Sequence, residues 1–168
     1  MIEFSNRICR TLHEEHLANI ALLSRVARLT AAHRQDPPSV AEPAVRQLLS
    51  ELATELVAEV ARHFDFEEQG LFVYLDGVGE TAIGAHLTEE HAMLRPLLSE
   101  LAGAARQALA GGFDPVTWVQ FRRLAREASE RLPAHIQKEE MALLPLVEDT
   151  MDAETEARLS QEYMEAVS

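Results

Sequence analysis

The sequence predicts an all-α fold, an up-down-up-down antiparallel four-helix bundle with an additional short C-terminal helix. Three observations carry this. Apolar residues recur at steps of three and four through most of the chain, the period of helices with one buried face. Alternating apolar runs bounded by turns, the mark of strands, are almost absent. Four periodic stretches of about 28 to 36 residues, roughly 40–50 Å each at 1.5 Å per residue, are joined by short connections, which makes neighbouring helices antiparallel.

The first helix is expected from about Asn6 to His33, with Leu12, His16, Ile20, Leu23 and Ala27 on one stripe. Pro37-Pro38 breaks it. Ser39 followed three residues later by Glu42 reads as a capping box, and Pro43 suits a first turn. The second helix is therefore expected from about Ala41 to Tyr74. After the turn Asp76-Gly77-Val78-Gly79, a third runs from about Glu80 to Ala110 and stops at Gly111-Gly112. Asp114-Pro115 opens the fourth, which continues to about Asp149 with a bend expected at Pro133. Asp152 caps a fifth helix, Ala153 to Ala166, with an apolar edge of Leu159, Tyr163 and Val167.

At 168 residues the chain fits a single domain over residues 1–168, the bundle from about 6 to 149 and the last helix from about 152 to 167. Acidic residues outnumber basic ones 28 to 15, a formal net charge of −13. That balance argues against nucleic acid or an anionic membrane surface as partner. The single cysteine, Cys9, allows no internal disulfide and suits a reducing compartment. Met1 to His16 holds no continuous apolar run, so no secretory signal is read there. No stretch approaches the roughly 20 apolar residues of a membrane span. A soluble, cytoplasmic protein is expected.

The chemistry lies in a repeat. His135-Ile136-Gln137-Lys138-Glu139-Glu140 sits on a stripe with Leu132, Ala128, Leu124 and Phe121 behind it and Ala142 and Leu146 ahead. A histidine and a glutamate four apart lie about 40° apart around a helix, one turn above the other. His63-Phe64-Asp65-Phe66-Glu67-Glu68 repeats the arrangement, with Val60, Leu56, Leu52 and Leu49 behind. Leu12-His13-Glu14-Glu15-His16 likewise matches Leu87-Thr88-Glu89-Glu90-His91. A buried carboxylate without a compensating partner costs several kcal/mol or shifts its pKa, and the chain bears that cost twice. One such histidine alone would read as a satisfied core residue. Four of them with two inward glutamates, related by a pseudo-twofold repeat, point to metal. The set is His16, His63, Glu67, His91, His135 and Glu139. Imidazole with carboxylate suits iron, manganese or zinc, and two carboxylates can bridge two ions while the histidines terminate them.

These residues resemble the hemerythrin-like (HHE cation-binding) family, whose pattern is histidine on helices one and three and His-x-x-x-Glu on helices two and four. The resemblance covers about residues 8 to 149. It implies a non-haem di-iron centre (Fe2+/Fe3+, with an oxo or hydroxo bridge as one arrangement), Glu67 and Glu139 as bridging carboxylates, and His16, His63, His91 and His135 as terminal ligands. Oxygen-carrying hemerythrins have a fifth histidine, two on the third helix being four apart. Here Leu87 holds that offset from His91, and His86 is five residues away, about 140° round the helix. That weakens the case for reversible oxygen carriage.

Other residues are read more plainly. His13 is expected to reach the outer surroundings of the site. Glu68 and Glu140 are expected to turn away from its centre. Tyr74 and Trp118 read as packing, and Cys9 as buried and inert. His13 to His16 is one residue short of a zinc-protease spacing. No Glu-x-x-His pair of the ferritin type occurs. The expected function is a non-haem di-iron protein that binds or reacts with dioxygen, peroxide or nitric oxide as sensor, scavenger or iron handler. The alternatives are an enzyme that turns over peroxide or nitric oxide, and an interaction module with a structural metal. The C-terminal helix could then serve a protein partner or a second copy of the chain.

Overall fold

The computed structural model describes residues 4–167, the side chain of Val167 excepted, so that expected edge position lies outside the described residues. Five helices account for the fold, and no strand occurs among the described residues. α1 spans Arg7–Ala32, α2 runs unbroken over residues 43–77, and α3 spans Thr81–Gly111. α4 covers residues 115–150 and α5 spans Ala153–Val167. No helix here is long and apolar enough to cross a membrane.

The helix starts follow local chemistry. Asn6 caps α1 by accepting the N–H groups of Ile8 and Cys9 at 2.9 and 3.2 Å. Asp114 and Thr117 cap α4 reciprocally, and Asp152 accepts from Glu154 and Thr155 ahead of α5. The expected Ser39–Glu42 capping box does not form. Proline forces its predecessor into extended backbone, and Glu42 has ψ 124°, so α2 begins only at Pro43. Ser39 Oγ instead accepts the Ala41 N–H at 3.3 Å inside a turn. α3 and α4 both continue through internal prolines, Pro96 and Pro133.

Two of the long helices are not uniformly α. α2 widens to π geometry over Leu52–Leu56 and again over Glu67–Leu71, and α4 does so over Glu139–Leu143. A π turn inserts one residue into the helical ladder. The stripe downstream therefore shifts by one. Leu143 and Val147 are buried where Ala142 and Leu146 were expected, and Leu75 is buried beside a half-buried Tyr74. In α1 the inward face likewise carries Asn19 and Val26, while Ala27 is exposed.

α1 packs on α2 and α4, α3 packs on α2 and α4, and α5 lies across α1 and α2. Their apolar faces form two separate cores. One gathers Leu23, Leu49, Leu56, Leu98, Trp118 and Phe121. The other gathers Ile8, Leu12, Leu75, Leu87, Val147, Leu159 and Tyr163. Each fully buried aliphatic or aromatic side chain contributes about 1.5–3 kcal/mol. In every one of the first four helices the histidine or glutamate named from the repeat falls between a residue of one core and a residue of the other. A polar layer thus divides the bundle.

The approach of α3 to α2 is close at Gly84, where a Cβ would stand 3.0 Å from Phe72 Cβ and 3.1 Å from Phe72 Cγ. Neither atom can swing away by rotation of the ring. Gly84→Ala is expected to lower stability by about 1–3 kcal/mol through overpacking, although alanine is the better helix former by about 1 kcal/mol. Urea denaturation checks this, and a raised midpoint would show that the helices yield there.

Candidate metal centre

His16 lies on α1, His63 and Glu67 on α2, His91 on α3, and His135 and Glu139 on α4. All six are buried, Glu67, His91 and Glu139 completely. They form two groups, His16-His63-Glu67-Glu139 and Glu67-His91-His135-Glu139, whose donor atoms lie within 4.8 Å of one another. Both glutamates belong to both groups. Glu67 and Glu139 each begin a π turn, with the following N–H bonding back five residues, Phe72 to Glu67 and Leu144 to Glu139.

Every imidazole is held by the nitrogen facing away from the centre. His16 Nδ1 meets Glu140 at 2.6 Å and His63 Nδ1 meets Glu15 at 2.7 Å. His91 Nδ1 meets Glu68 and His135 Nδ1 meets Glu90, both at 2.8 Å. A carboxylate only accepts, so each Nδ1 carries a proton, and in the neutral ring each Nε2 turns a lone pair inward. The inward nitrogens then face one another, His16 to His63 at 3.2 Å and His91 to His135 at 3.1 Å. Two lone pairs at that separation repel unless something positive stands between them.

The carboxylates complete the picture. Glu139 Oε2 is 3.0 Å from His16 Nε2, and its Oε1 is 2.7 Å from His135 Nε2. Glu67 Oε1 is 3.4 Å from His63 Nε2, and its Oε2 is 3.4 Å from His91 Nε2. Each carboxylate therefore offers one oxygen to each group. None of these four buried oxygens has a partner in hydrogen-bond geometry. They are close to the ring nitrogens but misaligned with them, as donors converging on a common point would be. Orphaned buried carboxylate oxygens are costly, and a cation is the partner this donor set fits.

Electrostatics point the same way. Six carboxylates (Glu15, Glu67, Glu68, Glu90, Glu139 and Glu140) surround the four imidazoles, and Arg95 and Lys138 are the permanent cations paired with them. With neutral imidazoles the carboxylates outnumber the cations beside them, even with Arg62 adding its field at Glu15. The ionisations respond accordingly. Burial pushes the Glu139 carboxyl up, but contacts with His135, His16 and His91 outweigh it and hold the group well below the usual range. Burial pulls His63 down, yet the Glu67 charge and the Glu15 contact hold it well above its ordinary value. His91, opposed by burial and favoured by Glu139 and Glu67, is raised to about 9. Protons are held where charge is uncompensated.

Phe64 stacks on His91 with ring centres 3.7 Å apart and stands edge-on to His135 at 5.3 Å, a dry wall to the site. His86 does not join. Its side chain is half exposed and lies 3.5 Å from Glu90, so the five-residue offset does aim it outward. His13 meets Glu140 at 2.9 Å, one step out from His16. Glu68 and Glu140 turn from the centre, as expected, but are the acceptors that aim His91 and His16. Cys9 is fully buried, its thiol pushed up to about 12 by burial and nearby acids.

Sequence reasoning assigned no role to Glu15 and Glu90. The signal was present, since each precedes its histidine at the same place in both halves of the repeat. One residue from His16 and His91, they point about 100° away on their own helices and look like surface. Each serves the histidine of the adjacent helix.

The hemerythrin HHE cation-binding domain is the family whose profile matches, over residues 7–163. No curated protein and no solved structure matches the chain. The matched span runs past the four helices that carry the repeat and into α5, farther than the motifs alone reached. With its two histidine–glutamate groups able to hold metal and a match over nearly its whole length, the chain belongs to the hemerythrin HHE cation-binding family.

Proposed function

We propose that this chain is a non-haem di-iron protein that binds or reacts with a small molecule such as dioxygen, peroxide or nitric oxide. The observation that carries the reading is the sharing of Glu67 and Glu139 by both donor groups. On this reading Glu67 and Glu139 would serve both ions, His16 and His63 would hold one, and His91 and His135 would hold the other. Two divalent ions would offset the surplus of negative charge. Iron bound there would supply one-electron chemistry and open coordination positions, since four protein donors per ion leave a six-coordinate shell incomplete.

The chain's own residues do the rest. Glu15, Glu68, Glu90 and Glu140 fix the tautomer and direction of the imidazoles, and Phe64 keeps bulk water from the His91 and His135 rings. A groove of about 210 Å³ lined by Glu90, His135 and Lys138 brings solvent near one edge of the site. His86 faces away, which favours sensing, scavenging or iron handling over reversible oxygen carriage. The contact pairs support the up-down-up-down antiparallel reading. His16 meets His63 while Arg25 meets Glu51, and His13 meets Glu140 while His33 meets Trp118. The family match over residues 7–163 supports one domain, and a lone buried thiol suits the cytoplasm.

Elemental analysis of the purified protein is expected to give two irons per chain, with strong loss in Glu67→Ala. A colourless zinc protein would overturn the iron reading. Sustained peroxide or nitric oxide consumption with a reductant, beyond one stoichiometric round, would make it an enzyme. Because metal binds the folded state, ions in hundredfold excess over their dissociation constant are expected to add about 2.7 kcal/mol of stability for each occupied site. Chelation should reverse the gain in a thermal melt, and a melt indifferent to chelator would count against a buried site.

A further inference from the structure

The repeat makes the two halves of the centre alike through two layers. His16 corresponds to His91, His63 to His135 and Glu67 to Glu139, and the outward acceptors Glu140 and Glu15 correspond to Glu68 and Glu90. In the next layer the likeness ends. Around His91 and His135 both acceptors meet permanent cations, Glu68 with Arg95 Nη2 at 3.1 Å and Glu90 with Lys138 Nζ. In the other half Arg95 is answered by Ile20 and Lys138 by Phe66, neither of which can donate a hydrogen bond from its side chain.

What stands in for the missing lysine comes from outside the repeat. The Tyr163 hydroxyl of α5 donates to Glu15, 2.6 and 2.7 Å from its two oxygens. The Tyr163 ring packs on Phe66 at 4.5 Å between centres, so the residue that replaces Lys138 is also the platform for the replacement donor. Tyr163 is 4% exposed. Arg62 lends both Glu15 and the Tyr163 hydroxyl a positive influence, but no ion pair joins it to Glu15 among the described residues.

We infer that Tyr163 is a positioning residue for the His16/His63 metal position alone, acting through Glu15 on His63, and that Lys138 plays the matching part for the His91/His135 position through Glu90 and His135. This rests on the two-metal reading above. The line of contacts is Tyr163 Oη–H to Glu15, Glu15 to His63 Nδ1–H, and His63 Nε2 to the centre. Without the hydroxyl, Glu15 keeps its charge and its contact with His63 but loses its second anchor, and the aim of His63 loosens. Removing the direct partner of a ligating imidazole typically costs 10–100-fold in metal affinity; Tyr163 stands one contact farther out, so its loss is expected to cost about tenfold, the lower end of that range. α5 is thereby part of one metal position and not of the other.

The test is calorimetric titration of the metal-free full chain with Co2+, followed by its visible spectrum. Wild type is expected to take up two ions. Tyr163→Phe keeps the ring on Phe66 and removes only the hydroxyl, so a mere packing role would leave both affinities unchanged. The expected result is one ion held as before and one weakened about tenfold, the lower end of the range for a ligand's direct partner. Location comes from two backgrounds. With His135→Ala, which cripples the other position, Tyr163→Phe should weaken the remaining ion; with His63→Ala it should change nothing. Two unaltered affinities in Tyr163→Phe, or equal weakening of both, would overturn the inference while leaving the metal reading standing. Failure of wild type to bind Co2+ would instead overturn the metal reading, and this inference with it. If Tyr163→Phe does not fold, Lys138→Met at a half-exposed position gives the mirrored test, with weakening expected only at the His91/His135 position and two unaltered affinities overturning the pairing.

Discussion

Two carboxylates lie at the middle of this bundle with all four oxygens buried and none in hydrogen-bond geometry, beside imidazole nitrogens whose lone pairs face one another at little over 3 Å. An apolar interior does not tolerate such a group unaided. Everything around it can be understood as meeting that constraint. Two apolar cores on either side supply the stability that a divided interior needs, and an outer ring of carboxylates aims the rings. The raised histidines and depressed Glu139 show the same constraint as it acts on protons.

Two of the three π turns belong to this account. Both copies of the His-x-x-x-Glu pair open a widened turn at the glutamate, so the inserted residue falls at the polar layer in each half. The histidine turn and the downstream apolar stripe can each face inward although regular helical spacing would set them out of register. The insertion cost lies where ligation of a cation could offset it, and π turns recur at functional sites for this reason. The repeat thus reproduces the local deformation as well as the residues.

Net charge and site charge are related but distinct. The chain's overall charge of −13 sets a long-range field that repels anions. The surplus around the imidazoles is a local demand, held at short range about two fully buried carboxylates. Only the second bears on what the centre binds. Departures from the repeat matter for the same reason: Ile20 for Arg95 and Phe66 for Lys138 alter the field around one pair of histidines while leaving the donor atoms alike.

Periodicity and punctuation were enough to place the helices, because a buried stripe and a terminal cap are local requirements. The spacing of His63 with Glu67 and of His135 with Glu139, set in matching halves, likewise marked the six side chains that the fold brings together. The Ser39 box misled because Pro43 acts on the backbone more strongly than a side-chain cap does. Ala142 and Leu146 misled because no residue pattern announced the π turn that moves the stripe to Leu143 and Val147. Glu15 and Glu90 remained unassigned, and Tyr163 read only as part of an apolar edge, for a deeper reason. A residue's own helix tells which way it points but not what stands opposite, and their partners lie on other helices, 148 residues away in the case of Tyr163 and Glu15. One chain's periodicity determines which atoms turn inward; only the packing of the helices decides which atoms meet.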